Sequence, residues 1–294
     1  MMDDVLPGSL VPVEWLAARR GAPRLVVVDG SWYLAAFNRS AVGEYQAGHI
    51  PGAVFWDLDT MSDRASPLPH MLPDAETFGR RVGVLGIGND DRVVVYDGSG
   101  NNLSAARIWW TLRVMGHREV AVLDGGVPAW RAAGLPREAG WTRWAPKRFV
   151  ARHRPELVRS LQEVRQAVER GGIQILDARA RGRFEGTEPE PRPGLRAGHV
   201  PGARNLPYPE LTGPDGRMLS PDEMRARLAA AGIDLAGPVI TSCGSGVTAC
   251  VLALGLEVVG HRQWSVYDGS WAEWGGPLEL PVDTGPASTV NGQR

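Results

Sequence analysis

The chain repeats itself at the spacing of a whole domain. "AGHIPGA" at 47–53 returns as "AGHVPGA" at 197–203, and "MGHREVAVLDGGVPAW" at 115–130 returns as "VGHRQWSVYDGSWAEW" at 259–274. "VVVDGSWYL" at 26–34 is echoed more loosely by "QILDARARG" at 174–182. The offsets are 150, 144 and 148 residues, and a fourth pair of landmarks, Asp97 and Cys243, lies 146 apart. Four landmarks in one order at one spacing mean two copies of a single domain, and the period is far too long for a solenoid.

Each copy alternates short apolar strands with helices. Residues 24–29, 53–55, 92–96 and 119–124 read as buried strands in the first copy, and "IQILD", "GARNL", "PVITS" and "QWSVYD" take those places in the second. They are short, rich in β-branched residues and bounded by Gly or Asp. "SLQE" at 160–163 and "SPDE" at 220–223 are capping boxes that open helices. This alternation predicts the α/β class: two tandem domains, each a mostly parallel sheet flanked by helices. The expected division is an N-terminal domain over 1–135, a proline-containing extended linker over 136–156 and a C-terminal domain over 157–294. Trp141 and Trp144 imply that the linker packs on the domains.

Charge and cysteine content narrow the function. A formal net charge of −1 gives no general attraction to nucleic acid or membranes. The eleven tryptophans lack the basic stripe that single-strand binding needs, so they read as packing residues. The opening "MMDDVLPGSL" is acidic, with no apolar core of a signal peptide, and no apolar run reaches membrane length. The expectation is a soluble, cytoplasmic protein. Two cysteines make no disulfide framework, and zinc would need about four ligands, so no metal is expected.

The chemistry concentrates in "CGSGVTAC" at 243–250, which follows the strand "PVITS" and precedes an apolar helix. α/β folds place ligands at that edge of the sheet. Gly244 and Gly246 are expected to take positive φ and turn successive amides inward as an anion nest, with Cys243 at its mouth. A nest and a helix N-terminus lower a thiol pKa and make a nucleophile. Neither copy has the Gly-Lys-Ser/Thr ending of a phosphate loop. Thr248 and Ala249 stand where a cysteine phosphatase would close its loop with arginine. An inert thiol at a helix start remains an alternative, as does a redox pair of Cys243 with Cys250. Cys250 reads as a core thiol. The corresponding first-copy loop, "DGSGNNLS", carries Asp97 where the second has Cys243.

These motifs, with "SDRASPLPHMLP" at 62–73 and "GRFEGTEPEPRPG" at 182–194, resemble the two-domain rhodanese family of sulfurtransferases along nearly the whole chain. Within that family the cysteine loop is similar to that of members using 3-mercaptopyruvate. Members using thiosulfate usually carry basic residues directly after the cysteine, where Gly244 and Ser245 stand here. The resemblance implies that the first copy is catalytically disarmed and that Cys243 takes sulfur as a persulfide. Pyruvate would leave as its enolate, and the sulfur would pass to a thiol, a reduced thioredoxin or cyanide, with no metal or organic cofactor. Arg183 and Arg192 match the family's substrate-binding arginines, and a guanidinium suits a planar carboxylate. Gly244, Gly246, Val247 and Thr248 join them as loop contacts. The competing reading is a surface ion pair of either arginine with Glu185, Glu188 or Glu190. Asp59, His70 and Ser245 match a proton relay to the leaving enolate, which would draw on both copies. Otherwise the His70 segment is a solvated proline-rich loop. Thiosulfate:cyanide transfer and a non-catalytic persulfide carrier are the alternative functions.

Residues shared by both copies have a structural reading, because only one copy carries the thiol. His49 with His199, Asp29 with Asp177, and His117 with His261 are therefore expected to fix turns.

Overall fold

The runs of Val, Ile and Leu picked out above are the central strands of two parallel sheets in the computed structural model, which describes residues 5–34 and 37–287. The first sheet contains β1 (Leu10–Val11), β2 (Leu25–Asp29), β3 (Val54–Phe55), β4 (Arg92–Tyr96) and β5 (Val120–Leu123), in the order β1-β5-β4-β2-β3. The second repeats it with β6 (Val158–Arg159), β7 (Gln174–Asp177), β8 (Arg204–Asn205), β9 (Val239–Ser242) and β10 (Trp264–Tyr267), in the order β6-β10-β9-β7-β8. Every ladder is parallel. All residues of β2, β5, β9 and β10 are buried, as a sheet covered on both faces requires.

The covering helices of the first sheet are α1 (Val13–Arg19), α2 (Ala41–Ala47), α3 (Leu58–Met61), α4 (Ala75–Val84), α5 (Leu103–Val114) and α6 (Gly126–Ala132). Those of the second are α7 (Leu161–Arg170), α8 (Arg181–Glu185), α9 (Pro221–Ala230), α10 (Ala249–Val258) and α11 (Ser270–Trp274). Both capping boxes form: Ser160 with Glu163 opens α7, and Ser220 with Glu223 opens α9 behind Pro221. Such a cap is worth about 1 kcal/mol. α10 is buried along almost its whole length, which is why its sequence shows no polar face.

By its internal contacts the chain forms two units. One comprises Met1–Ala65, Leu72–Arg154 and Thr212–Met218; the other comprises Ser66–Met71, Pro155–Leu211 and Leu219–Arg294. Within the first unit, the Met218 amide donates to Asp124 Oδ1 at 2.8 Å. The segment after α6 has little regular structure and lies along this unit. The backbones of His49 and Glu138 exchange hydrogen bonds, Trp144 Nε1 donates to Gly52 O, Lys147 pairs with Asp91, and Phe149 is buried.

The paired histidines hold backbone. His49 Nδ1 donates to Tyr45 O and His199 Nδ1 to Phe184 O, both at 2.8 Å. Each imidazole stacks on the ring of the residue it binds, with centroids 4.0 and 3.7 Å apart. Each also anchors an isolated bridge, His49 to Glu138 and His199 to Asp283.

Candidate active site

β9 runs straight into the cysteine loop, so Cys243 inherits the burial of the strand. The sequence reading puts the thiol at the mouth of the loop; the structure puts it on the floor, 1% exposed, while Gly244 and Thr248 keep partial exposure. A second correction concerns the glycines. Gly246 has the expected positive φ, +73°, but Gly244 does not. Gly244 is small for another reason. A Cβ there would lie 3.0 Å from Arg183 Nη2 and 3.9 Å from Arg192 Nη1. The two arginines singled out from sequence thus both reach the residue after the cysteine.

The backbone of the loop is arranged by α11. Trp271 N–H donates to Cys243 O and Ala272 N–H to Gly244 O, each at 2.9 Å. These are orphan donors of a helix's first turn, and they pull the loop carbonyls to one side. The amides of Gly244, Ser245, Val247, Thr248 and Ala249 have no acceptor among the described residues. Amide protons in a turn before a helix form an anion-binding surface.

Ser270 was not found by sequence reasoning. Fully buried, it holds φ +49° and lies at the centre of the loop's support. Its Oγ accepts from Cys243 N–H at 3.2 Å and Gly246 N–H at 3.1 Å, and donates to Tyr267 O at 2.7 Å. Cys243 Sγ is 4.0 Å away. The signal lay in the repeat: the aligned first-copy residue is Gly126, with φ +54°. A serine that accepts left-handed strain where its twin is glycine is serving its side chain. Tyr267 and Glu273 close this side, and burial pushes the pKa of both upward.

The first copy shows the same loop filled from within. Asp97 Oδ1 accepts from Ser99 N–H at 2.8 Å, and Oδ2 from Ser104 N–H at 2.9 Å and Ala105 N–H at 2.8 Å. A carboxylate in the cysteine's place thus occupies amides at the start of α5.

Of the other expected residues, Ser245 is buried in the loop with Val247. Cys250 is a core thiol on α10 whose Sγ–H donates to Gly246 O at 3.2 Å. His70, φ +60° and 8% exposed, belongs to the second unit and is not solvated, although Arg64, Ala65 and Pro67 of the same segment are exposed. Asp59 is an exposed residue of α3 in the first unit. Arg183 does pair with Glu190, at 2.5 Å, but that carboxylate is buried, so the pair is not the surface ion pair weighed above.

The rhodanese-like domain pattern matches residues 12–133 and 160–276. The chain belongs to the rhodanese family. It is a tandem member and a sulfurtransferase-type enzyme. It is 43% identical over 271 residues to human 3-mercaptopyruvate sulfurtransferase, covering 90% of this chain and 91% of that one. It is also 42% identical over 280 residues to bovine thiosulfate sulfurtransferase, covering 93% and 94%. Among solved structures, a 3-mercaptopyruvate sulfotransferase from Escherichia coli superposes with a TM-score of 0.83 at 39% identity, over 90% of this chain and 100% of that one. Relatives named for the two donors match almost equally well, so overall identity does not choose between donors.

Proposed function

We propose that this rhodanese moves sulfane sulfur from 3-mercaptopyruvate to a thiol or cyanide acceptor through a persulfide on Cys243, releasing pyruvate. The observation that carries the reading is one cluster: the Cys243 sulfur, five amides without acceptors among the described residues, and two guanidiniums at Gly244. The loop has no added cation after the cysteine, and the arginines suit a donor that carries its own carboxylate.

The steps follow from that cluster. Cys243 acts as the thiolate, the nucleophilic form of the residue. Arg183 and Arg192 hold the donor carboxylate. The thiolate forms an S–S bond to the donor sulfur while the C–S bond breaks, and its electron pair passes to carbon as the pyruvate enolate. The donor's thiol proton ends on that carbon, leaving pyruvate and a persulfide anion. His70, Ser245 and Asp59 are assigned to the proton transfer on the family resemblance. Loop amides then hold the persulfide charge in place, until an acceptor thiolate or cyanide takes the outer sulfur and restores the Cys243 thiolate.

A second reading, thiosulfate as donor, is favoured by the similarity to the bovine enzyme. Intact-protein mass spectrometry after each donor, with pyruvate assayed in parallel, tests both. One added sulfur at Cys243 with stoichiometric pyruvate is expected from 3-mercaptopyruvate. Loading by thiosulfate alone would replace the proposal with the second reading.

A further inference from the structure

We infer that Glu190 is a positioning residue that aims Arg183 at the donor carboxylate and so sets how tightly this donor is held; the inference rests on the function proposed above. The Glu190 side chain is 3% exposed and shared by two guanidiniums. Oε1 accepts from Arg179 Nη1 at 2.7 Å and from Arg183 Nε at 3.2 Å, and Oε2 accepts from Arg183 Nη2 at 2.5 Å. Arg179 is itself fixed. It donates to Asp177 Oδ2 through Nε at 3.0 Å and Nη2 at 2.7 Å, and through Nη2 to Gly198 O at 2.9 Å. Its guanidinium also lies over the Trp271 ring, 4.4 Å from the centroid. Burial works against the Arg179 charge, but Asp177 and Glu190 outweigh it and hold its pKa above the ordinary value. The result is a row of alternating charges, Asp177, Arg179, Glu190 and Arg183, that starts at the end of β7 and finishes beside Gly244.

This row selects one edge of Arg183. A guanidinium offers two forked edges to a carboxylate. Glu190 takes the Nε–Nη2 edge, which leaves the end-on edge formed by Nη1 and Nη2 without an acceptor among the described residues. The first copy supplies a comparison. Arg39 makes the same fork with Glu44, through Nε at 2.8 Å and Nη2 at 2.6 Å. There Nη2 also donates to Gly98 O at 3.2 Å, and the guanidinium stacks on Tyr33. In the second copy the matching carbonyl, Gly244 O, is already taken by Ala272 N–H. The same fork closes on its own loop in one copy and leaves an edge for a ligand in the other. The partner carboxylate is also treated differently: the Glu44 side chain is 36% exposed and Glu190 is enclosed.

The test is steady-state kinetics with 3-mercaptopyruvate on Glu190→Gln, Glu190→Asp, Arg183→Gln and the double variant Glu190→Gln/Arg183→Gln. Gln keeps the size and one acceptor for Arg179 but cannot accept the fork through both heads. Glu190→Gln should raise KM about tenfold with kcat within about twofold, as loss of ground-state binding does. Glu190→Asp, which keeps the charge, should raise KM less. In the Arg183→Gln background the Glu190 change should add nothing. An unchanged KM in a folded Glu190→Gln protein overturns the inference, as do losses that simply add in the double variant. If Glu190→Gln does not fold, Glu190→Asp alone and in the Arg183→Gln background decides by the same criteria. A wild-type protein that releases no pyruvate overturns the sulfur-transfer reading instead. Calorimetric titration of the same variants with pyruvate then decides the positioning role by itself.

Discussion

Replacing Asp97 with Asn tests the claim that the first loop is held by its own carboxylate. Asn has the same size but only one oxygen. Turned toward Ser104 and Ala105, that oxygen keeps both amide bonds, and the new NH2 group faces Ser99, whose N–H loses its acceptor while its hydroxyl, now donating to Asn101 Oδ1 instead of the carboxylate, accepts from the NH2. A hydrogen bond to a charged acceptor is worth about 1 kcal/mol more than a neutral one, so the two retained bonds weaken by about that much each. Stranding the Ser99 amide adds about 1 kcal/mol or more. The sum is about 3 kcal/mol, charged to local opening of the loop and the start of α5. Hydrogen exchange at Ser104 and Ala105 reads this directly, and a loss of that size makes exchange roughly a hundredfold faster. Exchange unchanged from wild type would refute the reasoning, because it would mean the amides do not depend on the carboxylate.

Cys243→Ser should abolish persulfide formation by mass spectrometry while the unfolding midpoint stays near wild type. Ser270→Gly should relieve the left-handed strain yet strand the Cys243 and Gly246 amides, and Ser270→Ala should be less stable than Ser270→Gly by about 1 kcal/mol, measured in urea. His70→Ala should slow pyruvate release more than persulfide discharge in single-turnover assays; equal slowing would remove the proton-transfer role. Burial holds the His199 pKa below its ordinary 6.5. The unfolded chain therefore binds more protons than the folded one just below that pH, so stability is lost as pH falls through this window. A urea midpoint that drops between pH 7.5 and 5.5, and drops less in His199→Gln, is the expected result.

The central strands and the loop between β9 and α10 were legible because burial on both faces leaves unbroken apolar runs and the turn leaves its glycines. The edge strands β1 and β6 were not: two residues carry no period, and unlike the equally short β3 and β8 they follow no repeated motif such as "AGHIPGA" and "AGHVPGA". Ser270 looked like one more turn residue, because sequence does not show φ or what a hydroxyl beneath a loop accepts. Glu190 was visible only as one of three acids near Arg183; the burial that distinguishes it comes from Arg179, whose own partners lie at Asp177 and Gly198. The depth of Cys243 was hidden for a related reason. Its covering depends on α11, far along the chain, turning its first amides onto the loop.

The two cysteine-type loops also differ in what completes them. Asp97 is a permanent occupant, attached by the chain itself and present from the moment of folding. On the mechanism proposed above, the loop around Cys243 would acquire its equivalent only when an outer sulfur arrives, and would lose it at every discharge. The loaded protein would then be the more heat-resistant of the two forms, and each acceptor molecule would have to draw its sulfur out of the better-stabilised state.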